Sequence, residues 1–290
     1  MQTAAPSHRT KEVVWSILSS KLAYLGRLGE ALGMRSKDPT FIVGTGRCGT
    51  DLLVDVLSSH PRVVGFPGEA NEFWHPTLYP FEEATVRHPP IEVDPRAFTA
   101  ASVESWPPDQ ANRIRSTFAG FHLISGYGKV LIVKSAMISF LIPKVLEIFP
   151  GARFIHIYRS GPSVVESYMK KNFGTYSKYT FSEEEYRLYC AEYWNSCIIE
   201  IERVNRALAL QQKNAYCELG YEDFCSNPAD WLDKLAFYLD VEKSAFGFDL
   251  SSIRSQNYKV GDYMEDPRWA AALRAMEPAM RLKGYTLEGV

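Results

Sequence analysis

The chain has 290 residues, 46% of them hydrophobic and 23% charged, with a formal net charge of −2. That is enough apolar chain for one large α/β core, and the near-neutral balance excludes a global attraction to nucleic acid or to an anionic membrane, so any anion site has to come from local basic residues. Five cysteines (Cys48, Cys190, Cys197, Cys217 and Cys225) are an odd number with no CxxC pair, which argues against a disulfide framework or a zinc site and for a reducing compartment, read here as the cytoplasm.

Residues 1–10 are polar and carry no signal-peptide pattern. In residues 11–34, the apolar Val13, Val14, Trp15, Ile17, Leu18, Leu22, Leu25, Leu28 and Leu32 are interrupted by Lys11, Lys21 and Arg27. The charges rule out a transmembrane span. The pattern predicts an amphipathic helix within a 1–39 extension, packed on the core or on a second subunit of a homodimer; a membrane-surface helix is the other reading. Residues 41–44 are a buried strand, and residues 50–59 a helix ended by His60-Pro61, because the residue before proline avoids the α region. Residues 63–66 form a second short strand.

Residues 67–108 are rich in proline, histidine, glutamate and aromatics without a period, which suits a functional loop or lid. Then come a helix at 109–121, a strand at 129–134 ending in a lysine, a helix at 140–149 stopped by Pro150-Gly151, a strand at 153–158 and a helix at 163–171. The second half adds a long helix at 182–210, a strand at 215–219 and an amphipathic helix at 228–239. Apolar strands alternating with helices predict a mostly parallel sheet covered on both faces. No linker divides residues 40–290, which read as one domain. Ligands of such sheets bind at the carboxyl ends of the strands, where the turn at 44–51, Lys134 and Arg159 all fall.

The richest segment is Gly44-Thr45-Gly46-Arg47-Cys48-Gly49-Thr50-Asp51-Leu52. A strand feeding a glycine-rich turn that opens a helix presents backbone N–H groups to an anion. Gly44 and Gly49 have Walker spacing, but Thr50-Asp51 stands where the Walker lysine and hydroxyl residue belong. The cation sits inside the loop instead, as Arg47.

Four segments together resemble the PAPS-dependent sulfotransferase family over roughly residues 40–285. Residues 46–53 are similar to its phosphosulfate loop, commonly Arg/Lys-Ser-Gly-Thr-Thr. Tyr158-Arg159-Ser160-Gly161-Pro162-Ser163 through Ser167 resembles its 3′-phosphate motif, a strand-end arginine with a serine eight residues later. Tyr221-Glu222-Asp223-Phe224 with Asn227-Pro228 is similar to its Tyr-Glu-Asp-Leu…Asp/Asn-Pro segment. Asn257-Tyr258-Lys259-Val260-Gly261-Asp262-Tyr263 echoes a C-terminal loop over the cofactor. Tyrosylprotein-type and bacterial carbohydrate or small-molecule sulfotransferases are the branches it most resembles.

The resemblance implies a P-loop-like α/β three-layer sandwich and transfer of a sulfuryl group from 3′-phosphoadenosine 5′-phosphosulfate (PAPS) directly to an acceptor, releasing PAP, with no metal required. It implies that Arg47, the N–H groups of Cys48, Gly49, Thr50, Asp51 and Leu52, and the Thr50 hydroxyl hold the phosphosulfate. Arg159 and Ser167 would hold the 3′-phosphate, Tyr221 would border the adenine, and Lys259 would touch the 3′-phosphate region. Lys134 and Arg47 would stabilise developing charge. Glu69, in a Gly-Glu segment after the His-Pro turn, would be the base, with His75 as runner-up. Two departures stand out: Cys48 replaces the usual serine, and Asp51 replaces a threonine, putting a carboxylate in a phosphate cradle. The acceptor stays open among small-molecule, carbohydrate and lipid compounds, through oxygen or nitrogen. A kinase or NTPase with a degenerate loop, using Thr50 and Asp51 for Mg²⁺, and a non-catalytic nucleotide-binding protein are the alternatives.

Overall fold

The computed structural model describes residues 8–68, 74, 109–176, 182–211, 215–257, 263 and 265–285. In chain order, α1 (His8–Ala31) leads to β1 (Thr40–Val43), α2 (Thr50–Ser58) and β2 (Val63–Gly65). After the segment outside the description come α3 (Gln110–Gly126), β3 (Val130–Lys134), a 3₁₀ turn (Met137–Phe140), α4 (Ile142–Ile148), β4 (Arg153–Tyr158) and α5 (Gly161–Tyr176). The rest is α6 (Glu183–Gln211), β5 (Tyr216–Gly220), α7 (Tyr221–Ser226), α8 (Pro228–Leu239) and α9 (Ala270–Leu282).

The five strands form one sheet in the order β2-β3-β1-β4-β5, and every pairing is parallel. The strands are apolar on both faces because helices cover both. Ile42, Ile132, Ile155 and Ile157 pack with Leu53, Val56 and Leu57 of α2 and Leu235 and Leu239 of α8. Their neighbours Phe41, Val43, Val133 and Phe154 point the other way, onto Ile114 and Phe118 of α3, Val145 and Ile148 of α4, and Cys197 and Ile201 of α6. One residue along a strand changes the face, as the pleat requires. Phe41 sits at the centre of the second layer, with the rings of Phe118, Phe149 and Phe154 all 5.8–6.3 Å away.

Most predicted elements recur within a few residues of their expected ends. Three differ in kind. The helix expected at 140–149 is split into the 3₁₀ turn and α4, with Pro143 near the start of α4, where its missing N–H costs nothing. No sequence signal marked α7 or α9; α9 carries Pro278 inside it, which reads locally as a breaker, yet Ala272, Met276, Ala279 and Met280 bury one face and hold the helix.

The third concerns α1. The helix forms and packs on α3, but only part of its leucine set faces that contact. Ser19, Leu22, Ala23, Gly26 and Gly29 are buried, while Leu18, Leu28 and Leu32 are exposed. A Cβ on Gly26 would stand 1.9 Å from the Ser116 carbonyl oxygen of α3, and one on Gly120 would stand 1.9 Å from that of Leu22. Two helices meet backbone to backbone because each is glycine at the crossing. Arg113 Nη2 adds a 3.4 Å hydrogen bond to Ser19 Oγ.

Candidate active site

The strand order reverses beside β1. The chain leaves β1 toward β2 and β3, and leaves β4 toward β5, so a crevice opens between the carboxyl ends of β1 and β4. Into it run the loop after β1 and the first residues after β4. The loop holds its shape through backbone conformations that few side chains allow. Gly44 has φ 139° and Gly49 φ 101°; a Cβ would lie 2.2 Å from Ile157 O at the first and 2.5 Å from the Tyr221 ring at the second. Between them Arg47 itself has φ 67°, a left-handed conformation uncommon for a non-glycine residue and concentrated at ligand sites. Ser139 Oγ clasps the start of the loop, accepting from Gly44 N at 3.0 Å and donating to Gly44 O at 3.1 Å. Sequence reasoning gave Ser139 no role.

Gly49 caps α2 without a side chain, so no side-chain cap occupies the helix's first N–H groups. They open on a cavity of about 250 Å³ whose wall includes Arg47, Gly49, Thr50, Asp51, Leu52, Arg159, Ser167 and Tyr221. Eight of the residues assigned to the donor from sequence thus meet at one cavity.

Arg47 and Ser167 are joined directly, Nε donating to Oγ at 3.1 Å. Arg159, 5% exposed, donates from Nη1 to Arg47 O (3.0 Å), from Nη2 to Gln256 O (2.5 Å) and from Nε to Asn257 Oδ1 (2.8 Å). Its guanidinium lies 4.6 Å from the centroid of the Tyr221 ring. Glu166, on the helix that follows Arg159, pairs with Lys170 at 3.2 Å. The segment 252–257 closes this side of the cavity through Ser252, Ile253, Arg254 and Gln256. These four were missed in the sequence, where only the run from Asn257 onward drew notice.

Asp51 has its carboxylate against the Lys134 ammonium. The pair answers how an acid is tolerated in the loop. Lys134, at the end of β3, is 12% exposed and Asp51 74%, so the lysine is held at the cavity's edge by a residue that lines it. Cys48 behaves differently from its neighbours. Its Sγ donates to Thr45 O at 2.7 Å, and burial pushes the thiol up to about 12. Its side chain belongs to the core, and only its backbone can serve an anion.

The Tyr-Glu-Asp segment is an organising corner. Glu222 Oε1 accepts from Ser160 N and from Asn257 Nδ2, each at 2.9 Å, and Oε2 accepts from Tyr285 OH at 2.9 Å. Asp223 accepts from Asn227 Nδ2 and Trp231 Nε1, each at 2.7 Å. Tyr221 OH accepts from Gln256 N at 3.0 Å. Two histidines near the sheet are engaged elsewhere: His60 Nε2 meets Glu242 O at 3.0 Å, and burial lowers the His156 imidazole pKa. Tyr168 packs in the core against Tyr193. Glu69, His75 and Lys259 lie outside the described residues.

A sequence profile described as the sulfotransferase family matches residues 39–245. The chain belongs to the sulfotransferase family. Among solved structures it is similar to sulfotransferase STF9 from Mycobacterium avium (TM-score 0.60, 13% identity, covering 92% of this chain and 81% of that one). It is also similar to the sulfotransferase domain of the Synechococcus PCC 7002 olefin synthase (TM-score 0.50, 20% identity, 87% and 97%) and to sulfotransferase STF1 from Mycobacterium tuberculosis (TM-score 0.51, 14% identity, 90% and 81%). At such identities these likenesses establish the P-loop-like α/β fold. No curated protein sequence matches the chain. No described helix is long and apolar enough to cross a membrane.

Proposed function

We propose that this family member transfers a sulfuryl group from PAPS to a hydroxyl or amine of a small-molecule, carbohydrate or lipid acceptor. The observation that carries the reading is the joining of two anion-binding elements into one unit. Arg47 and the open N-terminus of α2 stand on one side, and Arg159 and Ser167 on the other, hydrogen-bonded to the Arg47 side chain or backbone. A nucleotide with phosphate groups at both its 5′ and 3′ positions needs two such elements; one with only a 5′ chain leaves the second idle.

PAPS supplies an activated sulfuryl group. Arg47 and the loop N–H groups hold its 5′-phosphosulfate, with the α2 dipole favouring the charge. Arg159, with three of its five N–H donors committed to the protein, is fixed in orientation and offers the rest to the 3′-phosphate beside the Ser167 hydroxyl. Tyr221 covers one face of the Arg159 guanidinium. Lys134 stands ready to leave Asp51 and stabilise charge developing on the bridging oxygen. Glu69 takes the acceptor's proton, with His75 the second choice. Asp51, which a kinase reading would assign to Mg²⁺, is engaged by an ammonium, and among the described residues no group of three His, Cys, Asp or Glu is placed to hold a metal.

The test is calorimetric. Arg159→Ala is expected to weaken PAP by a factor of about 10–100, the range for a hydrogen bond to a charged group, while adenosine 5′-phosphosulfate changes little. Equal loss for both nucleotides would remove the 3′-phosphate assignment.

A further inference from the structure

Glu222 stands closer to the 3′-phosphate elements than to any other candidate function. It is an acid beside the arginine that has to attract a phosphate, which on charge alone is unfavourable. Its hydrogen bonds give the reason for its presence. The Asn257 side-chain amide lies between Glu222 and Arg159: Nδ2 donates to Glu222 Oε1 at 2.9 Å, and Oδ1 accepts from Arg159 Nε at 2.8 Å. A carboxylate only accepts, so it permits one orientation of that amide, the one with oxygen toward Arg159. The turned amide would set NH₂ against N–H and push the guanidinium away.

Glu222 is itself fixed from two further directions. Ser160 N, the residue after Arg159, donates to the same Oε1, and Tyr285 OH donates to Oε2. Burial, with the Glu222 charge next, raises the pKa of Tyr285 and keeps its hydroxyl a donor. Lys283 lies 4.9 Å from the Tyr158 ring and Tyr285 packs edge-on against it. Tyr285, after α9, thus reaches the site through one carboxylate.

Resting on the PAPS reading above, we propose that Glu222 is a positioning residue for 3′-phosphate recognition, acting through the Asn257 amide on the orientation of Arg159. It touches no phosphate itself. Its charge opposes binding and its geometry favours it, and the two effects predict opposite outcomes when it is replaced.

The experiment compares Glu222→Ala, Glu222→Gln, Asn257→Ala and Arg159→Ala with the parent chain, titrating each with PAP and with adenosine 5′-phosphosulfate. Glu222→Ala and Asn257→Ala should each weaken PAP about tenfold, with adenosine 5′-phosphosulfate unchanged within about twofold. Glu222→Gln keeps an acceptor for Asn257 and Ser160 and should restore PAP binding to the parent level or better. The double variant Glu222→Ala/Asn257→Ala should be no weaker than either single one, because both remove the same constraint. Tighter PAP binding in Glu222→Ala, or full additivity in the double variant, overturns the positioning role. Asn257 is exposed, so its variant reports even if Glu222→Ala folds poorly. A PAP loss in Arg159→Ala with none in Glu222→Ala or Asn257→Ala refutes the positioning role alone. No loss in Arg159→Ala refutes the PAPS reading and this proposal with it.

Discussion

At the scale of single residues, the loop after β1 shows which departures from a family pattern are consequential. Cys48 is conservative where it matters, because its backbone lines the turn and its thiol is core. Native protein treated with iodoacetamide near pH 8 should leave Cys48 unmodified, since burial holds the thiol at about 12; peptide mass mapping reads this, and labelling that PAP suppresses would contradict it. Asp51 is the consequential departure. Its ion pair with Lys134 has an exposed end, so its stabilising effect should be small, about 0–1 kcal/mol. Asp51→Asn should leave the melting temperature nearly unchanged yet tighten PAP, and the gain should shrink as salt rises. Weaker PAP binding at low salt would mean that the aspartate helps the anion site. Gly49→Ala combines φ 101° with a Cβ 2.5 Å from Tyr221, so it should cost more than about 1 kcal/mol and abolish donor binding.

At the scale of elements, what was legible depended on whether the signal was local. The strands at 41–44, 129–134 and 153–158 and the helix at 228–239 were readable because apolar runs and prolines mark them in place. The cleft was readable because Arg47, Arg159 and Ser167 each sit at a predictable strand end or helix turn. The 252–257 segment was not, because hydrogen bonds from Arg159 and Tyr221, far away in sequence, give it its role. Helix α9 was hidden by Pro278, whose local cost is outweighed by packing. The amphipathic character of α1 was legible, but its closest approach to α3 was not, because that approach is made at Gly26 and Gly120, which carry no apolar period. Gly26→Ala and Gly120→Ala should each destabilise by about 1–3 kcal/mol by forcing two backbones apart. PAP affinity well below the melting temperature should stay unchanged, because the crevice lies on other elements. A wild-type melting curve for both would refute the close crossing.

At the scale of the whole molecule, a polar group set into the sheet's edge ties the residues just after α9 to the sheet. Burial alone would raise the Glu218 carboxyl, but hydrogen bonds from His156, Lys283 and Tyr216 outweigh it and hold it down at about 2, against an ordinary 4.5. A depressed folded-state value means stability that is fully present above the ordinary value and lost as pH falls toward the depressed one. The chain should therefore lose stability progressively between about pH 4.5 and 2, and Glu218→Gln should flatten that limb of the melting-temperature profile. An identical acid limb in the variant would place the sensitivity elsewhere.

The glycine crossing of α1 and α3 also sets an order of events during synthesis. Ser19 and its partner Arg113 are 94 residues apart, so the small-residue face of α1 leaves the ribosome long before anything exists to cover it. At ordinary elongation rates the wait is roughly 5–20 s. β1, the middle strand, waits about as long for β3 and longer for β4, its other neighbour. The nascent chain therefore exposes apolar surface through much of its translation. Chaperones that shield apolar surface during translation should raise the yield of native protein.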